Sequence, residues 1–240
     1  MNQYKLIAMI PARLGSKRIP KKNLRYLGDK PLIQYPIDLA LQMKEFDSVW
    51  VNTESEELGK VIEKMGVKFH KRPEEFSADN CTNREFTYHF MWNHECDYVI
   101  MVNPTSPLLR KETMERFIQF VNEHDYDTIL STISDKAESF YQGKPINFDI
   151  KNKVNSQMLK PVERTVWALT AWKRTTFMEL EQQGICPVFG GKLGTFSIPK
   201  DESCDLDTEE DWRIAEGSMK ARAESASAVP RYLTFEDSGI

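Results

Sequence analysis

The feature that most restricts how this chain can fold is a rhythm. Short apolar runs recur over residues 5–134, and between them lie longer stretches with helical spacing. The runs are KLIAMI (5–10), SVWVNT (48–53), VKFH (67–70), DYVIMVN (97–103) and DTILSTIS (127–134). Their apolar positions are contiguous rather than alternating, which implies strands covered on both faces. The intervening stretches 31–43, 55–66, 84–94 and 111–124 carry apolar residues at helical recurrence. Ser55 is placed to cap one helix, acids fill that helix's first turn, and Gly66 stops it. Pro36 falls near the first turn of its own helix, where proline costs least. The rhythm predicts an α/β fold, a mostly parallel Rossmann-like sheet with helices on both faces. Ligands of such sheets sit in the crevice at the carboxyl ends of the strands.

The rhythm breaks after residue 134. Residues 135–170 are polar, aromatic and irregular, and predict a small β-rich arm suited to a subunit contact. A helix over 176–184, a strand over 194–198 and an acid-started helix over 208–224 then resume it. The expected organisation is a main domain of 1–134 and 171–224, an inserted arm of 135–170, and a tail of 225–240 with no clear period.

One loop runs against the charge of the whole. The 240-residue chain carries a net charge of −4. Yet IPARLGSKRIPKKN (10–23), at the exit of the first strand, holds Arg13, Lys17, Arg18, Lys21 and Lys22 and no acid. The acidic balance argues against a general nucleic-acid or membrane-surface binder. A local basic patch on an acidic body points to a small anionic ligand. Gly15 and Ser16 let backbone N–H groups approach a phosphate, and the cations neutralise its charge. A solvated basic turn accounts for the charges alone equally well; placement at a strand's carboxyl end favours phosphate. The spacing is not GxxxxGK[ST], which excludes a Walker-type loop, and the absence of GxGxxG argues against a dinucleotide site.

Asp205 and Asp207 lie two apart before a predicted helix. In extended chain both point to one side, and Mg²⁺ favours one or two carboxylates plus substrate phosphate and water. The competing role for Asp207 is to cap that helix; Glu209, Glu210 and Asp211 suit the helix dipole. Cys81, Cys96, Cys186 and Cys204 form no CxxC pair, so free thiols of a reducing compartment are expected. The first apolar run is too short for a secretion signal, and no run is long enough to cross a bilayer. A soluble, cytoplasmic chain is the expectation. His70, His89, His94 and His124 show no ligand spacing and are read as structural, with His70 alone adjoining a candidate site segment.

The loop 10–23 also resembles the N-terminal signature of the sugar cytidylyltransferases. The resemblance is strongest to the acylneuraminate (CMP-sialic acid synthetase) group with its legionaminate and pseudaminate relatives, and more distant to the Kdo cytidylyltransferases. Four further segments resemble the family's in the same order: VNTESEE (51–57), HKRPEEFSADN (70–80), VNPTSPLLR (102–110) and CDLDTEEDW (204–212). The resemblance implies a nucleotidyltransferase of glycosyltransferase-A-like fold that uses CTP and Mg²⁺ and works as a homodimer through the arm. It implies that Ala12, Arg13, Gly15, Ser16, Lys17, Lys22 and Asn23 hold the triphosphate side of CTP. Arg72, Ser77 and Asp79 would line the base and ribose site. Asn103, Thr105, Ser106 and Arg164 would meet the sugar, with Lys160 beside Arg164. Asp205 and Asp207 would hold the metal, and Arg13, Lys22 and Asp207 would carry catalysis. The implied reaction is in-line attack of a sugar acid's anomeric hydroxyl on the α-phosphate, with pyrophosphate leaving.

The sequence departs from the family at three places, of which the last two bear on which sugar acid is accepted. Glu54 stands where the family usually has Asp, and Asn103 where it has Gln. RTVWALTAW (164–172) lacks an expected Asn and brings Trp167, for which packing in the arm or a dimer contact is the favoured reading, as for Trp172. Two other functions compete. One is a same-fold nucleotidyltransferase with another nucleotide or an alcohol-phosphate acceptor. The other is a non-catalytic nucleotide-binding regulator, against which the intact set Arg13, Lys22, Asp205 and Asp207 argues.

Overall fold

The computed structural model describes residues 4–225; the tail beyond lies outside the described residues. The chain opens with β1 (Leu6–Pro11), the basic loop, and a two-residue ladder of β2 (Tyr26–Leu27) and β3 (Lys30–Pro31). Then follow α1 (Gln34–Leu41), β4 (Phe46–Thr53), α2 (Glu56–Glu63) and β5 (Lys68–Lys71). The Ser55 hydroxyl caps α2 by accepting from the Leu58 N–H at 3.1 Å, and Gly66 ends the turn beyond it with φ 87°. Next come α3 (Asn83–Asn93), β6 (Tyr98–Val102), α4 (Lys111–Glu123) and β7 (Thr128–Asp135). Thr82 and Glu85 close a capping box at the start of α3. The short strands β8 (Phe140–Tyr141) and β9 (Lys144–Pro145) pair with each other, and β10 (Val162–Lys173), α5 (Arg174–Gln182), β11 (Leu193–Ser197) and α6 (Glu209–Ser225) complete the described residues.

Seven strands form one sheet in the order β11-β7-β10-β6-β1-β4-β5. All pairings are parallel except those of β10, which runs antiparallel to both β6 and β7. The expected α/β fold with a mostly parallel sheet is present. The contiguous apolar runs serve both faces by alternation: Leu6, Ala8 and Ile10 of β1 pack under α1, α2 and α4, whereas Ile7 and Met9 pack under α3 and α5. A third, smaller cluster joins Ile19 of the basic loop to Leu206 and Trp212, and so seats the start of α6 against that loop.

The span expected for the arm needs correction. Residues 162–170 of that span lie in β10, in the middle of the sheet, so only 136–161 fall between sheet strands. The first residues of β10, Val162–Thr165, are mostly polar, with Glu163 and Arg164 exposed. They mask the buried run that follows, and the sheet signal reads as irregular chain. Among the described residues, no helix is long and apolar enough to cross a membrane.

Candidate active site

The chain passes from β1 outward to β4 and β5, then crosses to β6 on the other side of β1. The crevice of such a sheet opens where the strand order reverses, here between the carboxyl ends of β1 and β6. Two adjoining cavities occupy it. The first, of about 330 Å³, is lined by Arg72, Phe76, Phe86, Asn103, Thr105 and Trp167 among others. The second, of about 440 Å³, is lined by Ser16, Lys17, Arg18, Asp79 and Asp207. Arg13, Lys22 and Asn23 line both.

The basic loop is anchored before it reaches the cavity. Ala12 is fully buried in the core and its N–H donates to Asn52 O at 3.0 Å, so it supports the loop and lines neither cavity. The buried Asn23 amide donates to Arg13 O at 3.0 Å and folds the loop back on itself. Lys21 takes φ 50°, in the left-handed region, at the turn that presents Lys22. A non-glycine residue there costs roughly 1–2 kcal/mol, a strain seen where a side chain must be aimed. Gly15 is exposed and a Cβ added to it meets nothing within 4 Å, so the protein's own packing does not require glycine at that position.

Two carboxylates face the loop's cations. Arg13 donates to Asp79 Oδ1 at 2.9 Å and to Ser77 O at 3.0 Å, and Lys17 also pairs with Asp79. The Lys17 ammonium and the Arg13 guanidinium hold the Asp79 carboxyl below its ordinary value. Across the second cavity, Arg18 meets Asp207 Oδ2 at 2.9 Å, and Lys22 donates to Asp207 Oδ1 at 3.1 Å and Leu206 O at 2.6 Å. An entering polyanion thus finds four cations already converged, each in contact with a carboxylate it can exchange for phosphate oxygen.

The first cavity has a different character. Arg72 is only 2% exposed, lies over the Phe86 ring at 5.1 Å, and pairs with Glu54 at 3.4 Å. Its Nε has no hydrogen-bond partner. Burial lowers its pKa and the Glu54 carboxylate opposes that shift. Asn103 is fixed by its N–H on Ala168 O at 3.0 Å, and its side-chain oxygen accepts from the Thr105 N–H at 3.3 Å. Trp167 enters the cavity because β10 is irregular against β7 between Thr165 and Thr170. The buried Ser131 hydroxyl stitches that irregularity, donating to Val166 O at 2.5 Å and accepting from the Leu169 N–H at 2.9 Å. A bulge that redirects a side chain beside a site is a familiar use of such irregularity.

The expected site residues do not all converge. Arg164 is exposed on the polar start of β10 and lines neither cavity, and Lys160 lies instead along a groove within 146–160. Ser106 is buried and lines neither cavity; its N–H donates to Asn103 O at 3.1 Å, so it sets the turn. The Ser77 hydroxyl is engaged by Glu74 O at 2.6 Å, and only its backbone faces Arg13. Asp205 is exposed and lines neither cavity, unlike Asp207. Among the described residues, no group of three or more His, Cys, Asp or Glu residues could hold a metal. Asp207 lines the second cavity and is a carboxylate that a divalent cation could share with substrate phosphate and water. Sequence reasoning missed Phe76 and Phe86 as cavity walls, and Trp167, for which arm or dimer packing is the favoured sequence reading, is a third wall. Phe86 stands one helical turn before the core residue Phe90, and nothing in the spacing separates the two roles. Trp172 lies fully buried in the core of the sheet and not in an arm or dimer contact, with its indole N–H donating to Val188 O at 3.0 Å.

A mostly parallel sheet with a cation-lined crevice at its point of strand reversal places the molecule among the α/β nucleotidyltransferase folds. The fold is similar to that of a solved CMP:2-keto-3-deoxy-manno-octonic acid synthetase complexed with CTP, with a TM-score of 0.66 at 19% identity, covering 91% of this chain and 99% of that one. The chain belongs to the cytidylyltransferase family, whose pattern matches residues 7–182. It is 30% identical over 217 residues to the N-acylneuraminate cytidylyltransferase A of Danio rerio, covering 87% of this chain and 49% of that protein. It thus spans about half the length of that relative. It is 29% identical over 240 residues to the pseudaminic acid cytidylyltransferase of Campylobacter jejuni, covering 92% of this chain and 99% of that protein.

Proposed function

We propose that the chain is a cytoplasmic enzyme that transfers a cytidylyl group from CTP to a nonulosonate-type 2-keto-3-deoxy sugar acid and releases pyrophosphate. The observation that carries this reading is the pair of adjoining cavities that share Arg13, Lys22 and Asn23. One is cation-lined and suits a triphosphate, and the other is walled by aromatic and amide groups and suits a base and a sugar. Arg13, Lys17, Arg18 and Lys22 bind and align the phosphates, with Ser16 supplying loop contacts. Arg72, its counter-charge taken by Glu54, presents a guanidinium edge to the base. Asn103, Thr105 and Trp167 bound the acceptor. Asp207 would hold Mg²⁺ together with phosphate oxygens, and that ion supplies positive charge where the α-phosphate gains negative charge. Lys22, buttressed by Leu206 O, is the protein cation placed to stabilise the same charge. Residues 136–161 would form the contact of a homodimer.

The test is pyrophosphate release with CTP, Mg²⁺ and a panel of N-acetylneuraminate, legionaminate, pseudaminate, Kdo, 8-amino-Kdo and 2-keto-3-deoxynononate. Release with CTP and one sugar acid establishes the activity and names the acceptor. Absence of CTP binding overturns the reading of the basic loop.

A further inference from the structure

Glu54 reaches two walls of the crevice that come from distant parts of the chain. Its Oε1 accepts from the Leu14 N–H, inside the basic loop, at 2.8 Å. Its Oε2 lies 3.4 Å from Arg72 Nη2 and 3.5 Å from the Thr53 hydroxyl. The backbone that carries it is fixed on both sides. Thr53 ends β4 in register with Lys71 of β5, the Arg72 N–H donates to Thr53 O at 3.1 Å, and Ser55 caps α2. A side chain held between a strand end and a helix cap transmits its position to whatever it binds.

The charge balance points the same way. Arg72 is 2% exposed and Glu54 15% exposed. A guanidinium so far out of water persists only with a close counter-charge, and Glu54 is the carboxylate that supplies one. Four of the five cations of the basic loop already find carboxylates elsewhere, on Asp79 and Asp207. Glu54 contacts the loop through a backbone N–H instead, so it fixes the loop's path without spending a phosphate-binding cation.

We propose that Glu54 is a positioning residue of the nucleotide site: its carboxylate ties the backbone of the basic loop to Arg72, so that the phosphate-side and base-side walls are set as one unit. This rests on the reading of the crevice as a CTP site. The two contacts differ chemically, and that difference makes the proposal testable. In Glu54→Gln the amide oxygen still accepts from the Leu14 N–H, but Arg72 loses its counter-charge. Glu54→Asp keeps the charge.

Binding of CTP and of inorganic tripolyphosphate is measured by calorimetry on the wild-type chain and both variants, with circular dichroism to establish that each is folded. Glu54→Gln is expected to weaken CTP by about tenfold or more, the scale of one lost charge-assisted contact. Tripolyphosphate, which engages the loop only, is expected to change by less than about threefold, and Glu54→Asp to bind CTP within about threefold of wild type. CTP affinity unchanged in folded Glu54→Gln overturns the inference alone. Equal weakening of CTP and tripolyphosphate also overturns it, since that marks general structural support. A wild-type chain that binds tripolyphosphate but not CTP overturns the CTP site and this inference with it.

Discussion

At the scale of single residues, Asp205 and Asp207 show what spacing does and does not reveal. Spacing of two on extended chain predicts a shared side, but only Asp207 faces the cations of the loop. Asp207→Asn is therefore expected to lower turnover by at least about a hundredfold, the scale of removing one charge-stabilising group. Asp205→Asn is expected to cost clearly less. Equal losses, read as kcat in the pyrophosphate assay, would show that both carboxylates enter the working site. The histidines hold a second lesson. No ligand spacing links them, yet His70 Nε2 lies 3.0 Å from His89 Nδ1, and His70 Nδ1 lies 2.9 Å from His94 Nε2. Burial pushes the His70 pKa from 6.5 down to about 3 and that of His94 to about 4, and lowers that of His89. The folded trio stays neutral where the unfolded chain takes up protons. The stability this contributes is present above pH 6.5 and is lost progressively as the pH falls toward 4. Urea unfolding at about pH 7 and about pH 5, a window above the ordinary carboxylate range, is expected to show that loss, with a shallower slope in His70→Gln. Identical stability at the two pH values would contradict it.

At the scale of elements, the main strands and helices of the first half were legible because the strands were short and apolar and the helices periodic, with Ser55 and Gly66 marking the ends of α2. β10 was not. Its exposed start disguises it, and its irregularity depends on a buried hydroxyl that no local pattern reveals. Aromatic walls were likewise hidden: Phe86 and Trp167 have core-like sequence contexts and are turned into the cavity only by tertiary packing. The loop cations were legible as a group because charge contrasts with the rest of the chain. Which carboxylate each would meet was not, since Asp79 and Asp207 are brought there by chain distant in sequence. Gly59 belongs to the same class, a helical glycine that no turn demands. A Cβ there would meet the Phe69 ring at 2.6 Å, so α2 can lie close on β5 only without a side chain. The stitch in β10 is open to test. Ser131→Ala leaves Val166 O and the Leu169 N–H without their buried partner, at a cost of about 2 kcal/mol. It also frees the segment that aims Trp167. Urea unfolding is expected to register the loss, and the KM for the sugar acid is expected to rise more than that for CTP. A neutral effect on both would mean that the irregularity is held by other contacts.

At the scale of the whole molecule, a long segment of the described residues stands apart from the sheet and its helices. Residues 136–161 contribute no strand to the seven-stranded sheet. They carry Phe140, Tyr141, Ile146, Ile150 and Met158, all exposed, and the Phe140 ring packs edge-on against Phe148 with centroids 5.0 Å apart. Loops of soluble chains seldom display five large apolar side chains within some twenty residues unless something covers them, and contiguous apolar patches mark interaction surfaces. A second copy of the chain is the expected cover, because a paired arm would bury on both subunits what neither buries alone. A stable contact needs about 800 Å² from each partner, and five such side chains supply a large part of it. Sedimentation of the chain at micromolar concentration is expected to give a dimer. The double substitution Phe140→Asp and Ile150→Asp places two charges in the contact and is expected to shift the species to monomer while leaving the fold intact by circular dichroism, since both side chains lie outside the main core. A wild-type monomer, or a double variant that stays dimeric, would show that the arm's apolar surface serves something other than self-association.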